Sequence, residues 1–319
     1  MGYSRQATWD TLRRRAEVLS QIRAFFAARD VLEVETPALS MAAASDPAID
    51  SIAATVTCLE PAEHYLHTSP EYAMKRLLAS GCGDCYQICR VFRDGEIGRW
   101  HQPEFTLLEW YRVGWSEDQL MEEVAALINT IFEQHRTRRP CTHLSYADAF
   151  RTYLGCDAHG PEEAIRAALL ARGLDVPSQL HGDALLDLAL AAAIVPRLEP
   201  NALTFINDYP ASQAALAAIK SVSPAVAARF EVFCEGLELG NGYRELTDAA
   251  EQRQRFEQDL QRRSAAGRAT LPLDYDFLQA LPGLPPCSGI ALGIDRLVAV
   301  AAGLPSVAAG MAFSHTVNP

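Results

Sequence analysis

One stretch, Tyr86 to Arg112, constrains the fold more than any other: YQICRVFRDGEIGRWHQPEFTLLEWYR. Two apolar-rich runs, Ile88 to Phe92 and Phe105 to Tyr111, flank a polar loop carrying Arg93, Asp94, Gly95, Glu96, Gly98, Arg99 and His101. The pattern predicts a β-hairpin with charged groups at its mouth. Successive strand side chains point to opposite sides, so Phe105, Leu107, Glu109 and Tyr111 share one face. A carboxylate in that apolar company is costly to bury without a partner. Glu109 beside Tyr111 therefore suggests a receiver for a cationic ligand. In the first run Cys89, Val91 and Arg93 share a face, which sets a guanidinium at the loop end to meet an anion.

The 319 residues, 49% of them hydrophobic, suffice for one large domain or two ordinary ones with a sizeable core. The most apolar run, Ala184 to Val195, is short and broken by Asp187, well below the ~20 residues of a membrane span. No signal-peptide hydrophobic region follows the N-terminal MGYSRQATWDTLRRR, so the expected compartment is the cytoplasm. A net charge of −12 argues against a broad phosphate-tracking surface and is compatible with a basic protein partner. The Arg13–Arg15 run is expected to be a solvated helix face. Cys82, Cys85 and Cys89 (CGDCYQIC) have no second pair or His cluster nearby to complete a metal site, so they read as small buried hydrophobes.

Along the chain, Trp9 to Ala28 carries Leu12, Ala16, Leu19, Ile22 and Phe26 at helical spacing, and Asp30 breaks the pattern. A strand is expected over Val31 to Thr36, stopped by Pro37. Residues 38–63 read as a surface loop with a strand at Ile52 to Cys58. Ser69 and Pro70 look like an N-cap and first helical position for Tyr72 to Leu78, with Glu71 in the first turn as a capping acid. Ser116 and Gln119 form a capping box for a helix to about His135. Residues 155–195 suggest two or three short helices in an inserted subdomain. Leu203 to Ile206 reads as a strand and Asp208-Tyr209-Pro210 as a turn. From Phe230 to Leu246, Glu231, Glu235, Glu238 and Glu245 recur in strand context, either as edge acids or as carboxylates for nucleotide-bound magnesium. Asn241-Gly242 is a turn signal. In Ser288 to Leu297 (SGIALGIDRL) small residues admit a close ligand, and Arg296 starts a helix, where an arginine makes sense beside an anion.

Three of these segments, in order, resemble the three motifs of class II aminoacyl-tRNA synthetases, and in PEFTLLEWY and ELGNGYREL those of the lysyl type. Motif 1 falls at about 9–37, motif 2 at about 86–112 and motif 3 at about 288–300. The resemblance implies an α+β fold, a mostly antiparallel sheet flanked by helices, with residues 1–319 forming a single catalytic domain. Motif 1 begins within the first ~10 residues, which leaves no room for an anticodon-binding barrel before it. In this the chain is similar to the elongation factor P lysine ligase family, as it is in Ala291, where lysyl-tRNA synthetases usually have glycine.

That resemblance implies ATP and Mg2+ as cofactors, lysine or (R)-β-lysine as substrate, elongation factor P as partner, a homodimer, and no stable tRNA binding. Its substrate-binding positions fall on Ser69, Pro70, Glu71, Glu109, Tyr111, Asn241, Glu245 and Ala291. Glu109 and Glu245 would pair with the substrate's two ammonium groups. ATP-binding positions fall on Arg93, Asp94, Gly95, Glu96, Gln102, Phe105, Glu238, Leu239, Gly293 and Arg296, with Arg93 and Arg296 catalytic. Phe105 and Arg296 would sandwich the adenine, and Glu231 and Glu238 match the magnesium acids. Two positions depart from the family: Arg93-Asp94-Gly95 stands where Arg-Asn-Glu is usual, with Glu96 one place later, and Gln102 replaces an asparagine. The rival readings are a truncated synthetase charging tRNA or another small acceptor, and an inactive regulatory paralogue.

Overall fold

The structure is a computed structural model that describes residues 7–135 and 137–315. The first helix, α1 (Trp9–Ala27), is capped by the Thr8 hydroxyl, which accepts from the Thr11 N–H at 3.1 Å. It ends ahead of Asp30, whose φ of +56° turns the chain back. The strand that follows, β1, is shorter than the sequence suggests. Only Leu32 and Glu33 pair in register with Cys85 and Tyr86, and the Val34 N–H adds one more bond to the Tyr86 carbonyl at 2.8 Å.

Seven further strands complete the main path of the sheet: β2 (Cys85–Phe92), β3 (Glu104–Val113), β4 (Cys141–Ser145), β5 (Leu203–Pro210), β6 (Val226–Cys234), β7 (Leu237–Arg244) and β8 (Cys287–Gly293). Their order is β1-β2-β3-β8-β7-β6-β5-β4, and Ile219–Lys220 pairs with β6 as a ninth strand. Pairing is parallel only at the two ends, β1 with β2 and β4 with β5. A separate three-stranded sheet joins Leu39–Ser40, Glu63–Leu66 and Ala53–Thr55, the last a shorter strand than the 52–58 run predicts.

The expected alternation holds on β3. Leu108 and Trp110 enter a core with Val18, Ile22 and Phe26 of α1 and with Leu120, Val124, Leu127, Ile128 and Ile131 of α3 (Glu117–His135). Their neighbours Glu109 and Tyr111 face the other way. The capping box of α3 forms reciprocally: the Ser116 N–H donates to Gln119 Oε1 at 3.0 Å and the Gln119 N–H to Ser116 Oγ at 3.3 Å. Residues between Tyr146 and Leu198 contribute to a second core, which β5 and β6 complete with Ile206, Tyr209 and Ala227.

Two turn assignments are corrected. Asp208, Tyr209 and Pro210 lie within β5, where a register shift against Ala227 and Phe230 absorbs the positive φ of Asp208. Asn241 and Gly242 lie inside β7, and the Phe230 ring fills the space a Cβ at Gly242 would need, 2.5 Å from Phe230 Cζ. The turn between β6 and β7 is Glu235-Gly236, both at positive φ. The Arg13–Arg15 run is also corrected: Arg15 is drawn inward to a buried ion pair with Asp295, 2.6 Å away.

Candidate active site

On the face opposite the α1 and α3 helices, the sheet floors a cavity of about 1040 Å³. The hairpin β2–β3 supplies one wall, β7 and β8 the floor beside it, and α2 (Glu71–Ala79) the far side. Antiparallel register brings distant residues together here: Ala291 of β8 stands between Glu109 of β3 and Asn241 of β7. Gly289 must be glycine for the same reason, because a Cβ there would lie 2.3 Å from the Tyr111 ring.

One end of the cavity is an acid well. Glu109 is 2% exposed; Tyr111 Oη donates to its Oε1 at 2.7 Å, while Oε2 has no hydrogen-bond partner among the described residues. Burial, with the charge of Glu71 added, pushes the Glu109 carboxyl well above the usual range. Glu245 follows β7 and is 4% exposed. Burial pushes it up to about 7, with Lys75 opposing and Glu71 adding to the rise. Glu71 opens α2, its backbone N–H 3.4 Å from Ser69 Oγ, so Pro70 precedes the helix rather than starting it. Ser69 and Pro70 line the cavity beside these acids. Lys75, absent from the sequence motifs, stands between Glu71 and Glu245 at 2.6 and 2.5 Å. Its signal was present in the chain, since Glu71 and Lys75 are four apart on one helix.

The other end is cationic. The Arg93 guanidinium lies 5.1 Å from the Phe105 ring centroid and 3.7 Å from Glu96, and its Nε is buried without a hydrogen-bond partner among the described residues. Arg296, in the first turn of α4 (Ile294–Ala302), is held on four sides. It donates to the Glu238 carbonyl at 2.8 Å, the Glu238 carboxylate at 3.3 Å, the Trp100 carbonyl at 3.3 Å and His101 Nε2 at 2.8 Å. Burial and the Arg296 charge keep the His101 pKa below the usual value, so its ring is the acceptor. Gln102, Leu239 and Gly293 also line this end. Gln102 Oε1 takes up the His315 N–H at 2.9 Å.

Three of the expected positions lie outside the cavity lining. Asp94 and Gly95 are exposed at the hairpin mouth, where the Asp94 N–H bonds the Asp50 carbonyl at 2.8 Å. Glu231 sits on β6 behind Asn241, tied to Arg229 at 2.6 Å, and Arg229 also donates to Asn241 Oδ1 at 3.3 Å. Burial raises the Glu231 pKa, and the charge of Glu238 raises it further. Of the two, Glu238 lines the basic end of the cavity, and magnesium carried by a nucleotide needs only one or two carboxylates. Among the described residues no trio of His, Cys, Asp or Glu forms a self-sufficient metal site. Cys85 is buried, and burial raises its pKa.

An antiparallel sheet walled by a long hairpin, an arginine at the start of the helix after the closing strand, and a cavity acidic at one end and basic at the other define a class II synthetase-type catalytic domain. The family described as tRNA synthetases class II (D, K and N) matches residues 1–317. The chain belongs to that family, whose ligases use ATP. Among its relatives, the elongation factor P--(R)-beta-lysine ligases of Salmonella gallinarum, Salmonella dublin and Salmonella paratyphi B are each 44% identical over 326 residues. Each alignment covers 98% of this chain and 98% of the relative. Among the described residues no helix is long and apolar enough to cross a membrane.

Proposed function

We propose that the chain activates (R)-β-lysine, or lysine, as an aminoacyl-adenylate and transfers the acyl group to a lysine ε-amine of elongation factor P. The observation that carries this reading is the polarity of the cavity. Buried acids, one of them with an unpaired oxygen, stand at one end, and Arg93 and Arg296 stand at the other. A molecule with ammonium groups and a carboxylate spans that gradient, its carboxylate directed at a bound triphosphate.

In the first step a substrate carboxylate oxygen attacks the α-phosphorus of ATP, the bond to the bridging oxygen breaks, and pyrophosphate leaves. Arg93 and Arg296 neutralise phosphate charge, while Phe105 and Arg296 enclose the adenine. Glu231 and Glu238 would hold a magnesium ion, which supplies further charge neutralisation on the phosphates. In the second step the acceptor amine attacks the acyl carbon, AMP leaves, and the nitrogen loses a proton. No enzyme nucleophile is needed, because placement and electrostatics supply the catalysis.

The reading takes the chain as one catalytic domain acting as a homodimer through motif 1, where Trp9 and Leu32 are 64% and 54% exposed. Sedimentation that gives a monomer at every concentration overturns the dimer. ATP–pyrophosphate exchange with (R)-β-lysine and α-lysine, followed by transfer to elongation factor P or to tRNA, tests the function. Exchange with a lysine and transfer to the protein acceptor support it. Transfer to tRNA alone, or no exchange, overturns it.

A further inference from the structure

Lys75 belongs to none of the three motifs, yet it occupies the middle of the acid well. It is 1% exposed, and lysine is almost never buried this far unless paired. Its ammonium bridges a carboxylate from its own helix, Glu71, and one from the segment after β7, Glu245. The Phe277 ring lies 5.9 Å away on the other side. Glu245 Oε1 lies 2.8 Å from where a Cβ on Gly289 would stand, so this acid is held between Lys75 and the β8 backbone.

The charges in the well can be counted. Glu71, Glu109 and Glu245 are three carboxylates against one resident ammonium, so the ionised well lacks two positive charges. The remaining groups around it do not alter that number. Tyr72, Tyr111 and Tyr243 stay protonated, as do the thiols of Cys85 and Cys287, all with pKa values raised first by burial. Arg76 turns outward to Asp276, 3.3 Å away, where both side chains are largely in solvent. Arg229, whose charge reaches Tyr243, is paired with Glu231 at 2.6 Å, and Asp84 is paired with Arg112 at 2.8 Å.

Resting on the reading that the cavity takes a lysine-type amino acid, we propose that Lys75 is a positioning residue and resident counter-ion. It fixes Glu71 and Glu245 relative to each other and sets the well to accept a ligand with two ammonium groups in preference to one. Without it, the carboxylates of Glu71 and Glu245 would face each other with no cation between them. A diamino acid would then meet a well with an uncompensated buried charge.

The experiment is ATP–pyrophosphate exchange by the full chain, with KM and kcat measured separately. Lys75→Met keeps the volume and removes the charge. Its KM for the lysine substrate should rise by at least about tenfold, with kcat changed by less than about threefold. Lys75→Ala should show the same rise, reversed by added n-propylammonium and not by n-propanol. A purely structural role for the side chain would not distinguish the two additives. An unchanged KM in Lys75→Met, or equal rescue by both additives, overturns the proposal. If neither variant folds, the unaltered chain still decides: it should bind lysine at least about tenfold more tightly than 6-hydroxynorleucine, which has one ammonium. Equal affinity overturns the proposal. A wild-type chain that exchanges with neither lysine isomer overturns the functional reading itself. Normal wild-type exchange with an unaffected Lys75→Met overturns only the role of Lys75.

Discussion

Arg15 Nη1 donates to Asp295 Oδ1 at 2.6 Å, across 280 residues of sequence. The same guanidinium donates through Nη2 to Thr106 Oγ1 at 2.7 Å, and the Thr106 backbone N–H donates to Asp295 Oδ2 at 2.6 Å. One buried knot thus ties α1, the second strand of the hairpin and the start of α4, the three segments in which the resemblance places its motifs. Asp295 also precedes Arg296, so the knot holds the arginine that faces the cavity. Removing one partner of a buried pair strands the other charge, at a cost of about 3–5 kcal/mol. Arg15→Met should therefore lower the urea midpoint markedly and slow exchange. A midpoint within error of the wild type would show that the pair carries no such load.

Substrate affinity should depend on pH through the acid well. The Glu109 and Glu245 pKa values are both raised, Glu245 to about 7, with burial the first cause in each. An ammonium ligand needs the ionised carboxylates, so a proton on either acid competes with it. The sign follows: KM for the amino acid should fall as pH rises through about 7 and level off once both acids are ionised. KM for ATP, bound at the arginine end, should not follow that curve. Parallel curves for both substrates would place the titration elsewhere.

Gly289 offers a steric test of the same end. A methyl group there would lie 2.3 Å from the Tyr111 ring and 2.8 Å from Glu245 Oε1. Tyr111 cannot move without releasing its hydrogen bond to Glu109. Gly289→Ala should raise KM for the amino acid by at least about tenfold, in line with a typical overpacking cost of about 1–3 kcal/mol. Calorimetric titration with the amino acid checks it, and unchanged affinity would mean the ring shifts freely.

What the sequence showed, and what it did not, divides along local and non-local lines. The hairpin, the face shared by Glu109 and Tyr111, and the Ser116–Gln119 capping box were legible because each rests on short-range periodicity or spacing. Arg15 reads as a solvated residue because its partner lies 280 positions away, and nothing in the helix's own pattern points to Asp295. Asn241-Gly242 matched a turn signal, but Gly242 is small to admit the Phe230 ring from the neighbouring strand. The positive φ values that a turn needs were instead supplied by Glu235 and Gly236. Lys75 is illegible in the sequence for a related reason. A Glu-Lys pair at helical spacing usually marks an exposed helix face, and only the tertiary arrival of Glu245 makes it a buried centre.

The hairpin mouth is where this chain departs from the pattern the resemblance implies, and Glu96 is the residue there that reaches the cavity. Gly95 has a φ of +74°, open space around its Cα and an exposed position. Glu96, one residue on, lines the cavity and stands 3.7 Å from Arg93. A glycine in the left-handed conformation turns the chain so that the next residue, not this one, faces inward. Glu96→Gln should therefore weaken ATP binding several-fold, since it removes the charge that steadies Arg93. The second change, Gly95→Glu, should not restore that loss in the double variant. Its side chain would point to solvent, and a non-glycine residue at positive φ costs about 1–2 kcal/mol. KM for ATP in exchange assays of the two single variants and the double variant decides between the positions. Restoration of affinity by Gly95→Glu would mean that the loop rearranges to the family's usual conformation, and that Glu96 is only a neighbour of the nucleotide site.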